Sequence, residues 1–153
     1  MAASRPSPTF TDSSIQTVGL RFSTMNIPKG ATILRAYVQF RAHSVRTGAT
    51  SLRIEGQAAD NAAVFTTTNL NVSSRARTTS FVQWNPAAWN VTGEIGAAQQ
   101  TPDLSPVIQQ IVNRTGWING NALALIITGS GVRTATSYEG GPAVAPLLHV
   151  EWK

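Results

Sequence analysis

Two histidines, His43 and His149, and seven acids, Asp12, Glu55, Asp60, Glu94, Asp103, Glu139 and Glu151, are the ordinary proton carriers of this 153-residue chain. Nucleophilic catalysis needs a Ser, Thr or Cys activated by a nearby base. The chain has no cysteine and no G-x-S-x-G elbow. Hydrolysis of a glycosidic bond needs two carboxylates facing one another across a cleft, and the acids are scattered without a paired spacing. No phosphate-cradling glycine motif occurs, because the glycines fall in turns. The expectation is therefore not an enzyme and no required cofactor. Calcium leaves little sequence trace, and Asp60, Asn61 and Asp103 would be its candidate donors.

The remaining chemistry is recognition by flat aromatic and planar cationic groups. Ten of the twelve basic residues are arginine, and the net charge is +5. Arginine suits bidentate contact with carboxylate, sulfate or phosphate. With only 12% of residues charged and no basic cluster beyond "SSRAR", nucleic acid is not the expected partner. Two sets of ligand-binding candidates follow. One lies at a loop end: Trp89 after "NPAA", Trp117 in "RTGWINGN", and Arg133, Tyr138 and Glu139 around "GVRTATSYEGG". An indole in such a loop either seals the core or faces a ligand. The other set, Arg35, Tyr37, Arg41 and Arg53, falls on outward strand positions.

Period-two alternation is what places that second set. In "ATILRAYVQFRAHS", Leu34, Ala36, Val38, Phe40 and Ala42 fall on one face, and Arg35, Tyr37, Gln39, Arg41 and His43 on the other. "SLRIEGQA" puts Leu52 and Ile54 inward and Arg53, Glu55 and Gln57 outward. "TVGLRF" and "PLLHVEW" alternate likewise, which makes Trp152 a core residue. Trp84 is in phase with Val82 in "SFVQW", again a core position. "ALALIITG" is apolar on both faces and reads as a central, covered strand.

One segment has helical chemistry, "DLSPVIQQIVNRTGW", with Ser105 as N-cap, Pro106 opening the helix and Gly116 ending it. A second short helix is expected near "AADNAAVF". Turn signals every ten to fifteen residues, with 42% apolar residues in one chain, predict a single all-β domain over 15–153. These signals make its fold class an antiparallel β-sandwich with one or two short helices. Residues 1–14, with two prolines and four serines, read as a mobile arm. No apolar run is long enough to span a bilayer, and no signal-peptide core is evident in the first residues.

The succession "NIPKGATI" into an alternating strand, "VQWNPAAW", "DLSPVIQQIV" and the closing "SYEGG…APLLHVEW" resembles the DNRLRE-like modules over about 15–153. The resemblance implies a jelly-roll-like, carbohydrate-binding β-sandwich from large secreted bacterial proteins, hence an extracellular setting and an acidic polysaccharide such as alginate as ligand. Family members usually carry a longer acidic stretch before the "VGLRF" equivalent. A missing first strand would leave a sheet edge open. The alternative is therefore a structural or adhesive subunit of an extracellular fibre, self-associating through the N-terminal arm or the open edge.

Overall fold

Each alternating segment becomes a strand because it has one apolar side to bury. In the computed structural model, which describes residues 16–153, the strands are β1 (Gln16–Phe22), β2 (Ile33–Gln39), β3 (Ser51–Gln57), β4 (Arg77–Trp84), β5 (Leu123–Ser130) and β6 (Leu147–Trp152). They form two antiparallel sheets, one of four strands in the order β1-β5-β3-β4 and one of two, β2-β6. The arm expected over 1–14 lies outside the described residues. No described helix is long and apolar enough to cross a membrane.

The fold is an all-β sandwich whose inner faces meet in one cluster. Ala36, Val38 and Leu148 from the small sheet pack with Leu20, Phe22, Leu52, Ile54, Trp84, Leu125 and Ile127 from the large one. As its pattern predicts, β5 is central, and Leu123 to Ile127 are all buried. One strand slips out of the expected phase. Between Ile33 and Arg35 the register of β2 on β6 shifts, so Leu34 is 52% exposed and Ile33 takes the core position. The extra residue of a bulge flips the alternation on one side of it. Trp152, expected inside, is 43% exposed at the open end of β6.

Helix α1 (Ser105–Val112) closes one side of the sandwich by burying Val107, Ile108, Ile111 and Val112 against β2, β3 and β4. Its amides satisfy strand edges. Gln110 Oε1 accepts the Ser80 N–H of β4 at 2.9 Å, and Gln109 Oε1 accepts the Ile33 N–H of β2 at 2.8 Å. The rest of the β2 edge is bonded by the segment leading into the helix. Thr101 Oγ1 accepts from Val38 N, and Leu104 N donates to Ala36 O.

The helix starts one step differently from its sequence signature. Ser105 is already helical, and Asp103 supplies the carboxylate, accepting from Ser105 N at 3.1 Å and Oγ at 2.6 Å and from Ala36 N at 2.9 Å. Burial opposes ionisation of Asp103. The bonds from Ser105 and Ala36 and the charge of Arg35 outweigh it, holding its pKa below the ordinary carboxylate value. A depressed folded-state pKa stabilises fully above the unfolded value of about 3.9 and is lost as pH falls through the folded one. The wild-type urea midpoint should thus drop on acidification from about pH 5 to about pH 3. Asp103→Asn should remove this residue's share of that drop.

No helix forms near "AADNAAVF". Residues 58–76 run as bends and turns over the outer face of the large sheet. Phe65 sits on Gly19, where a Cβ would lie 2.4 Å from the ring. Arg75 stacks on Phe65 at 4.2 Å and donates to Gln57 Oε1, Ala63 O, Val64 O and Asn71 Oδ1. A guanidinium thus satisfies carbonyls that helical bonding would otherwise take.

Candidate functional site

The loop-end set divides at the core boundary. Trp89 and Trp117 are 1% and 0% exposed. Their indole N–H groups donate to Ala98 O at 2.8 Å and Ile27 O at 3.0 Å, as buried indoles require. Neither offers a face to a ligand. Arg133, 3% exposed, is also interior, and its guanidinium is spent on carbonyls of neighbouring loops. Tyr138 is exposed, in the 3-10 turn Tyr138–Gly140 that also contains Glu139. The interior positions of both tryptophans and Arg133 correct the ligand-facing expectation for them. Trp117 also stands at the opposite end of the sandwich from the others, since it precedes Leu123 at the start of β5, whereas Trp89, Arg133 and Tyr138 lie beyond the end at which Trp84, Leu52 and Gly129 pair.

The sheet-face set is split between two sheets. Arg35 and Tyr37 lie on β2, and Arg41 follows it, whereas Arg53 lies on β3 of the other sheet. Since both sheets bury their inner sides in one core, the outward sides face opposite directions. On the small sheet Tyr37 stacks on His149 at 4.7 Å, with Arg35 5.0 Å from the tyrosine ring. His149 Nε2 lies 2.8 Å from Glu151 Oε1, and Asp103 neighbours Arg35. This ladder is therefore largely charge-balanced. Arg41 is half-buried against the turn at Gly93.

Arg53 stands in a different setting. Its guanidinium lies 3.5 Å from the Phe81 ring centroid and 3.1 Å from Glu55 Oε1. Glu55 is buried and also holds Arg77 at 2.9 Å, leaving two cations to one carboxylate. Phe81 is 47% exposed. Beside the pair is an open depression of about 310 Å³ lined by Ser51, Arg53, Gln83, Thr128, Gly129 and Ser130. The strand registers extend it. Gln83 pairs with Arg53, Arg53 with Thr128, and Thr128 with Thr17, one polar row across all four strands. Thr17 in turn lines a second depression, of about 380 Å³, under residues 66–73. Three strand spacings make the row about 14 Å long.

Chemically, the row offers a stacked guanidinium preorganised for an anion, an amide, hydroxyls and an exposed ring at its flank. Gly129, at a φ of +149°, lets β5 approach β3 closely beside the row, since a Cβ there would lie 2.1 Å from Ser51 O. Phe81, Gln83, Thr128 and Thr17 were not among the residues singled out from the sequence. The outward phase of Phe81 and Gln83 against Val82 and Trp84 was a readable signal; the pairing of strands distant in the chain was not. Among the described residues no three His, Asp or Glu side chains converge as a metal site. Asp60 instead accepts from Arg114 Nε at 2.7 Å, and Asn61 Oδ1 from Ala122 N. No protein-family model, curated protein or solved structure matches the chain.

Proposed function

We propose that this chain is a non-catalytic polysaccharide-binding module for an acidic glycan, lying along the row Gln83–Arg53–Thr128–Thr17 with Phe81 at its side. The observation that carries the reading is the coincidence of an exposed ring, a stacked arginine and an open polar trough on one sheet face. Sugars pack C–H faces on aromatic rings, and uronate or sulfate groups pair with guanidinium. A trough of this length suits several linked units better than one. The setting is extracellular, where such polymers occur. The protein acts there by holding the glycan.

Affinity electrophoresis through gels containing alginate or a neutral polysaccharide tests this. The wild type should be retarded by the acidic polymer and released by salt. Arg53→Ala should weaken retention about tenfold or more, the scale of a lost charge-assisted bond. Phe81→Ala should weaken it too, while Arg35→Ala and Arg41→Ala leave it unchanged. Retention untouched by both Arg53→Ala and Phe81→Ala would refute the site.

A further inference from the structure

The small sheet has one edge without a bonding partner among the described residues. Thr32 and Lys153 exchange both backbone bonds, at 2.9 and 3.0 Å, just beyond the paired ends of β2 and β6. In an antiparallel ladder the bonded residues alternate. Lys153, Glu151, His149 and Leu147 therefore bond toward β2, and the N–H and C=O groups of Leu148, Val150 and Trp152 point to the other side, where no described strand pairs. The inner side opens along the same strand, with Leu148 buried, Val150 half-buried and Trp152 exposed. An uncovered row of backbone groups beside exposed apolar side chains is a template for another strand.

We propose that the strand filling this edge is β6 of a second copy, paired antiparallel about a two-fold axis through Val150. In that register Val150 meets the partner's Val150, and Leu148 meets the partner's Trp152. These are the positions whose backbone groups point outward, so each pair exchanges two bonds. Their side chains all lie on the inner face, apolar against apolar. On the outer face His149 meets the partner's Glu151, an imidazole opposite a carboxylate, twice by symmetry.

The neighbouring registers lack this fit. Centring on His149 sets two imidazoles face to face, Glu151 against Leu147, and Trp152 against Pro146, which has no N–H to give. Centring on Glu151 opposes two carboxylates and sets His149 against Lys153. Any register centred between residues pairs inward with outward side chains. The selected pairing turns two two-stranded sheets into one of four strands, and uses both copies' edges so that assembly stops at two. It does not depend on glycan binding.

The chain lacks cysteine, so single-cysteine variants read the register directly. Bonded antiparallel pairs have Cα atoms about 5.5 Å apart, within disulfide range. Val150→Cys should form an interchain disulfide under mild oxidation well ahead of His149→Cys or Glu151→Cys. The untreated wild type should sediment at twice its 16.3 kDa mass at high concentration. Val150→Pro removes an outward-pointing N–H and no bond to β2, and should sediment at the single-chain mass with an unchanged far-ultraviolet spectrum. Faster cross-linking at 149 or 151, or a wild type that stays single at every concentration, would overturn the proposal. If Val150→Pro does not fold, the cysteine series and the wild-type mass still decide it.

Discussion

Replacing Trp117 with alanine is expected to lower the free energy of unfolding by about 3–5 kcal/mol, the range for deleting a fully buried large aromatic side chain. The indole is wholly enclosed among core side chains just after α1, and its N–H is the partner of Ile27 O. Truncation leaves both a cavity and an unsatisfied carbonyl, and partial collapse of the helix end recovers little of either. Trp117→Phe separates the two losses. It keeps much of the apolar volume but forfeits the bond, so about 1–3 kcal/mol is expected. Urea denaturation with an unchanged m-value measures both variants. A ligand-facing tryptophan at the surface would give a change within about 0.5 kcal/mol instead.

The second large effect is expected at Arg133. Its guanidinium donates to Gly48 O, Thr50 Oγ1, Pro86 O, Ala87 O and Val132 O, at 2.7 to 3.2 Å. None of these acceptors is a carboxylate. Loss of hydration by burial pushes its pKa below the ordinary arginine value, and carbonyl dipoles from several loops stand in for a counter-ion. Arg133→Met keeps the apolar stem but strands those buried carbonyls, each at about 1–3 kcal/mol if left dry, so a loss of about 3 kcal/mol or more is expected. Arg133→Lys should recover part of it, since an ammonium cannot present the planar fork. Neither change should alter glycan retention where the protein remains folded, because Arg133 lies inside the protein, not on the trough.

These two residues show what sequence could and could not deliver. Alternation located the strands and the covered strand β5, because a period-two pattern maps onto one buried face whatever the topology. It failed at Leu34, where a single bulge residue inverted the phase, and at Trp152, where the strand ran beyond its covering sheet. The stretch 58–76 resisted reading because its order rests on Arg75 gathering carbonyls from several turns, a tertiary arrangement with no local periodicity. The candidate site was half legible. Arg53 and the outward phase of Phe81 are local facts. The separation of Arg53 from Arg35, Tyr37 and Arg41 depends on which strands share a sheet, and the burial of Trp89, Trp117 and Arg133 depends on loops distant in sequence packing above them.

The most direct test of binding at the large-sheet face is titration of the ¹⁵N-labelled protein with a soluble acidic oligosaccharide, followed through its amide resonances. Saturable shifts centred on Arg53, Phe81, Gln83, Thr128 and Thr17, and abolished in Arg53→Ala, are the predicted result. Shifts confined to Arg35, Tyr37 and His149, or none at all, would contradict it.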